Sequence, residues 1–138
     1  MVFIIAFYGS PASGKTTAAE FLVNTYGSLN IEHWEELPSS EELTCFSNNK
    51  LTFANIKVNQ VAKPILVIES IESQLEADYI HGMGGVIVHV LRPSQLGHVP
   101  LDKGIYTIDY SIKNDMDKDT FLNRIHANLS SRMDLFLK

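Results

Sequence analysis

The chain has 138 residues, 45% of them hydrophobic and 20% charged, which suits one soluble domain (1–138) with a single sizeable core. A formal net charge of −5, with no basic block to offset it, argues against indiscriminate binding to nucleic acid or membrane surfaces. The lone cysteine, Cys45, rules out an internal disulfide and fits a reducing compartment, so a cytoplasmic location is expected.

The first stretch, Val2 to Tyr8, is continuously apolar and rich in β-branched and aromatic side chains, as a buried parallel strand should be. It lacks the basic n-region of a signal peptide and is read as the first strand. Gly9-Ser10-Pro11-Ala12-Ser13-Gly14-Lys15-Thr16 follows and fits G-x-x-x-x-G-K-[ST], the Walker A or P-loop pattern. The chemistry explains the spacing. Gly9 and Gly14 allow a tight turn close to phosphate oxygens, and the amides of Ser10, Ala12, Ser13, Gly14, Lys15, Thr16 and Thr17 face the anion at a helix start. Lys15 supplies a mobile positive charge toward the β- and γ-phosphates, and the Thr16 hydroxyl is a Mg²⁺ ligand. The run from Thr17 to Tyr26 has Ala18, Phe21, Leu22 and Tyr26 at helical spacing, with Gly27 as its stop. A nucleoside triphosphate site is the reading this stretch supports.

From Leu29 to Asn49 the chain has no Lys or Arg and carries Glu32, Glu35, Glu36, Glu41 and Glu42. Trp34 sits within this acidic run as a hydrophobic anchor or a platform for a base or a protein partner. Pro38 to Glu42 predicts a loop entering a short helix, with Ser39 or Ser40 as cap, and Asn48-Asn49 predicts a turn. Leu51 to Val61 is ambiguous. Its alternation suits a strand, which is the reading adopted, although Phe53, Ile56 and Val61 also fit a helix.

Pro64 to Ile68 is another buried strand, and it ends on Glu69, the position of a Walker B carboxylate at the ligand-binding edge of an open sheet. Glu69 is therefore a candidate to hold Mg²⁺ directly or through water, or to orient an acceptor. Ser73-Gln74-Leu75-Glu76 is an S-x-x-E capping box opening a helix with Leu75, Tyr79 and Ile80 on its apolar face, stopped by Gly82, Gly84 and Gly85. That gives Glu76 a structural role. Val86 to Leu91 is a further strand, in which His89 reads as a packed residue rather than a metal ligand. Ser94 to Gly104 reads as a loop bearing His98, Asp102 and Lys103, and Ile105 to Ile112 as the last strand. Asp115 or Asp117 caps a final helix with Phe121, Leu122, Ile125, Leu129 and Phe136 at helical intervals. Alternation of apolar strands and helices predicts an α/β fold, a three-layer α/β/α sandwich around a mainly parallel sheet of about five strands, the P-loop NTPase fold.

Three passages together resemble the deoxynucleoside monophosphate kinases of bacteriophages, within the wider P-loop kinase group that includes dephospho-coenzyme A kinase. They are the P-loop, the stretch Leu75-Glu76-Ala77-Asp78-Tyr79-Ile80 with Gly84-Gly85-Val86-Ile87-Val88-His89-Val90 and Arg92-Pro93, and Asp109-Tyr110-Ser111-Ile112-Lys113-Asn114. The resemblance implies transfer of the ATP γ-phosphoryl group to a (deoxy)nucleoside monophosphate, with Mg²⁺, Lys15, Glu69 and Arg92 as the catalytic set and Asn114 near the adenine. It also implies host cytoplasm if the chain is phage-encoded, and a homodimer is compatible with it. The family's S-D-V-R passage falls on Glu69-Ser70-Ile71-Glu72, so the family aspartate lands on Ser70 and its arginine on Glu72. Two other readings stay open: a degenerate nucleotide-binding protein acting through protein contacts, and a P-loop kinase for another small molecule.

Overall fold

The computed structural model describes residues 2–10, 13–38, 54–92 and 105–137. Strand β1 (Phe3–Tyr8) is buried along its whole length, because it lies at the centre of the sheet with helices on both faces. Its side chains alternate. Phe3, Ile5 and Phe7 enter one core, and Ile4, Ala6 and Tyr8 enter the other. Helix α1 (Lys15–Tyr26) contributes Ala18, Ala19 and Leu22 to the first core, and α4 (Lys118–Phe136) contributes Phe121, Ile125, Leu129 and Met133. The second core takes Ala54 and Val58 from the helical residues 54–59 (α2) and Ala77 and Ile80 from α3 (Gln74–Gly82). At roughly 1.5–3 kcal/mol for each fully buried large apolar side chain, these two cores dominate the driving force for folding.

The sheet has five parallel strands in the order β2-β3-β1-β4-β5, with β2 (Ile31–Trp34), β3 (Ile65–Ile68), β4 (Val86–Leu91) and β5 (Tyr110–Lys113) flanking β1. The predicted three-layer α/β sandwich is the fold observed. The second strand is not where the alternation of Leu51 to Val61 placed it. Residues 54–59 are helical, burying Ala54 and Val58 one turn apart while Ile56 stays 51% exposed. The edge strand is Ile31–Trp34, where only Ile31 is fully buried. An edge strand has fewer neighbours to bury it and can be built from polar residues, so apolar periodicity misses it.

The last strand also starts later than Ile105. The Tyr106 amide donates to Gln74 Oε1 at 2.6 Å, and Gln74 Nε2 donates to Thr107 Oγ1 at 2.9 Å, so this stretch is tied to α3 rather than to a strand ladder. Asp109 then marks the entry to β5, its carboxylate accepting from the Ile87 amide at 2.7 Å and lying 2.6 Å from His81 Nε2. The capping box forms as expected. The Glu76 amide donates to Ser73 Oγ at 3.2 Å, and Glu76 Oε1 accepts from Ser73 Oγ at 3.0 Å and from the Glu72 amide at 3.3 Å. Leu75 is 40% exposed, so the apolar face of α3 is Ala77 and Ile80, with Tyr79 half-buried against the same core. Asp117, not Asp115, caps α4 by accepting from the Thr120 amide at 2.8 Å. Cys45, the predicted short helix after Pro38, the Asn48-Asn49 turn and the Ser94–Gly104 loop lie outside the described residues.

Candidate functional site

The carboxyl ends of β1, β2 and β3 meet the first turn of α1. Gly9 leaves β1 so close to β4 that an added Cβ would stand 2.5 Å from the Val90 carbonyl oxygen. Gly14 caps α1 at φ 116°, and a Cβ there would meet Asn114 Nδ2 at 2.6 Å. Between them the Ser13 amide donates to the Ser10 carbonyl at 3.1 Å. The Ser13 hydroxyl is buried, and it has no hydrogen-bond partner among the described residues. Asn114, expected near an adenine, donates from Nδ2 to the Ser13 carbonyl at 2.8 Å, and its amide donates to the Leu91 carbonyl at 2.7 Å. It braces the Ser13 end of the loop from just beyond β5.

Side chains converge on the open face of this loop. Lys15 Nζ donates to the Gly9 carbonyl at 2.7 Å and to Ser70 Oγ at 3.2 Å. The Thr16 hydroxyl donates to Glu69 Oε1. The other oxygen of Glu69 lies 3.1 Å from His33 Nε2. Strand geometry explains this meeting. Glu69 leaves β3 on the same face as Val67, the register partner of His33, and α1 packs on that face. Backbone bonds fix the rim, with the Glu69 amide on the Trp34 carbonyl at 2.8 Å and the Ser70 amide on the Glu35 carbonyl at 3.0 Å.

Lys15, Thr16, Glu69, Ser13 and Gly14 thus form one cluster with Gly9, while Ser10 leads into the loop from Gly9. Ala12 lies outside the described residues. Thr17 lines a groove between α1 and α4, with Glu20, Phe21, Asn24, Lys118 and Leu122. Arg92 is exposed just beyond the last residue of β4. Ser70, where the family aspartate would fall, faces Lys15, while Glu69 next to it faces Thr16. His33 is the site residue that sequence reasoning did not single out. Its signal is tertiary: it lies 36 positions from Glu69 and belongs to an edge strand that periodicity did not reveal.

The site is asymmetric in charge. Among the described residues, positions 35–38 and 69–73, which leave β2 and β3, bring Glu35, Glu36, Glu69 and Glu72 and no Lys or Arg. Two of the three arginines are engaged on α4. Arg124 donates to the Lys113 carbonyl at 2.7 Å and to Asp115 Oδ1 at 2.8 Å, and Arg132 lies 5.9 Å from the Tyr110 ring. Trp34 is half-buried against the second core and donates from Nε1 to Glu32 Oε1 at 3.3 Å, which fits an anchor. His89 is half-buried with its ring 4.9 Å from that of Tyr8. Among the described residues no helix is long and apolar enough to cross a membrane.

A hydroxyl and a carboxylate brought together beside an ammonium and a backbone cradle form a hard-oxygen donor set, the kind that suits Mg²⁺. No family model matches the chain, and no curated protein matches it. Solved structures do. A sugar kinase from Janibacter sp. HTCC2649 superposes with a TM-score of 0.57 at 13% identity, covering 94% of this chain and 95% of that one. The fold is P-loop kinase-like. A gluconokinase from Sinorhizobium meliloti 1021 gives 0.56 at 11% identity over 96% and 94% of the two chains. A shikimate kinase from Aquifex aeolicus vf5 gives 0.56 at 13% identity over 94% and 98%. The chain is thus similar in structure to P-loop kinases of small molecules.

Proposed function

We propose that the protein is a phosphotransferase that moves the γ-phosphoryl group of ATP to a small-molecule acceptor. The observation that carries this reading is the convergence of Lys15, Thr16 and Glu69 on one face of the loop between Gly9 and Gly14. In this reading the loop amides and Lys15 hold the β- and γ-phosphates, displacing the ammonium from its present bonds to Gly9 and Ser70. Thr16 and Glu69 would hold Mg²⁺, which would offset the charge that develops during transfer. Asn114 keeps the loop in shape by tethering Ser13. The resemblance to the phage kinases gives Arg92 a part in offsetting phosphate charge.

For the acceptor, the geometry favours a hydroxyl-bearing molecule without a phosphate of its own. Among the described residues, the charged side chains in the segments that leave the carboxyl ends of β2 and β3 are Glu35, Glu36, Glu69 and Glu72, which repel a dianionic group, and Glu72 stands where the phage kinases carry an arginine. The second reading is a (deoxy)nucleoside monophosphate, supported by the passages around Glu76 to Arg92 and Asp109 to Asn114. A coupled assay with Mg-ATP tests both, using a panel of neutral alcohols, sugars and nucleoside monophosphates. Turnover of a neutral acceptor, abolished by Lys15→Ala, supports the first reading. Turnover of monophosphates alone replaces it with the second. Tight ATP binding with no turnover would leave a nucleotide-binding protein and remove the enzyme.

A further inference from the structure

Glu69 has two carboxylate oxygens and divides them between two partners. Oε1 takes the Thr16 hydroxyl, and Oε2 lies 3.1 Å from His33 Nε2. The pair is sheltered, with side chains 28% exposed for His33 and 17% for Glu69. A glutamate reaches its ligand through several rotatable bonds and loses that freedom on binding, unless another group has already ordered it. His33 is well placed to do so. It belongs to β2, whose ladder with β3 sets His33 opposite Val67 and holds the ring beside the carboxylate. No arginine or lysine is hydrogen-bonded or ion-paired to this carboxylate among the described residues.

We propose that His33 is a positioning residue for the metal: in its Nε2–H tautomer it donates to Glu69 Oε2 and locks the carboxylate so that Oε1 points at the Thr16 side of the phosphate loop. The inference rests on the Mg-ATP reading of the site. It assigns to the edge strand a job beyond closing the sheet, since His33 reaches the metal only through Glu69. A partner that orients a metal-bound carboxylate in this way is worth ten- to a hundredfold in metal affinity.

The test is calorimetry on the full chain, titrating ATP with excess Mg²⁺ and again in EDTA. His33→Ala should reduce the Mg²⁺-dependent gain in ATP affinity by about ten- to a hundredfold while metal-free ATP affinity moves less than about twofold. His33→Gln, which keeps an N–H donor on a side chain of similar reach, should restore most of the gain. In a Glu69→Ala background, adding His33→Ala should change nothing further, because the two residues act as one unit. Equal loss with and without metal would overturn the proposal, as would no loss at all or full additivity with Glu69→Ala. If His33→Ala fails to fold, His33→Gln and His33→Leu decide the matter, Gln keeping the metal-dependent gain and Leu losing it. A wild-type chain that binds ATP equally well with and without metal would sink this proposal and the metal role given to Thr16 and Glu69, while leaving the nucleotide site in place. A wild-type chain that binds no ATP would take the kinase reading down with it.

Discussion

The β1–α1 unit and the β2–β3 edge arrive at the same rim of the sheet but are held there by different means. The first is fixed by close approach of backbone. Gly9 lies against the Val90 carbonyl and Gly14 against Asn114, with no space for a side chain at either. The second has an ordinary backbone ladder, and its site side chains are held by hydrogen bonds to one another at a half-exposed edge, His33 to Glu69 and Glu69 to Thr16. On the proposed kinase reading, the contrast separates two tasks. A polyphosphate is the same ligand for every kinase that uses it and can be met by a rigid cradle of amides. A metal and an acceptor would be met by side chains, and such side chains belong on an edge where substitution costs little packing.

The largest expected effect breaks the cradle's chemistry without touching its frame. Lys15→Ala should lower phosphoryl transfer by about a hundredfold or more, the scale for losing one group aimed at developing charge. Its melting temperature should match the wild type, because among the described residues the ammonium bonds only the Gly9 carbonyl and Ser70 and supports no core. A collapse of stability in the absence of ligand would show that Lys15 is part of the scaffold and would blur the distinction between the two regions.

Next is the frame itself. Gly14→Ala places a Cβ 2.6 Å from Asn114 Nδ2 at a φ of 116°, and should destabilise by about 1–3 kcal/mol in urea unfolding. Part of that loss should return when Asn114 is also replaced by Ala, since the clash then has room to relax. If Gly14→Ala proved neutral, the cradle would be as adaptable as the edge.

A third test addresses the segment where the sequence pattern misled. In a strand, residues 54, 56 and 58 share one face. In the observed helix Val58 is 1% exposed and Ile56 is 51% exposed. Val58→Ala should therefore cost about 2 kcal/mol, from two lost methyl groups and the space they leave, while Ile56→Ser should stay within about 0.5 kcal/mol. Equal sensitivity at the two positions would restore the strand.

These cases show what was legible and why. The P-loop, α1, β3, β4 and the S-x-x-E start of α3 announce themselves because the determinants are local: a glycine where a turn needs it, a run of Val and Ile, a serine three residues before a glutamate. Glu69 was readable for the same reason, as an acid closing an apolar run. Ile31–Trp34 was not, because its strand character comes from pairing with β3 rather than from its own composition. His33 was hidden with it, since nothing in an isolated Glu-His-Trp-Glu sequence says that the imidazole faces a carboxylate 36 residues away. The start of β5 was misplaced because Gln74 and Asp109 capture backbone amides that a strand ladder would otherwise use.

The smallest effect separates the two aspartates that the sequence offered as caps for α4. The hydrogen bonds from Thr120, side chain first and backbone second, hold Asp117 below the usual carboxylate range. Those from Arg124 do the same for Asp115. A depressed folded-state pKa means that each carboxylate favours folding above its unfolded pKa of about 4, and that this contribution fades as pH falls through the lower folded value. Asp117 occupies the N-cap, where loss of the acceptor strands an amide of the first turn. Asp115 makes an exposed ion pair, which water and salt weaken. Asp117→Ala should thus lower the melting temperature at pH 7 more than Asp115→Ala, and the gap to wild type should narrow toward pH 3. Circular dichroism melts of the three proteins across that range check both statements. A larger loss for Asp115→Ala, or a gap that widened in acid, would mean that the helix is held at this end by its arginine rather than by its cap.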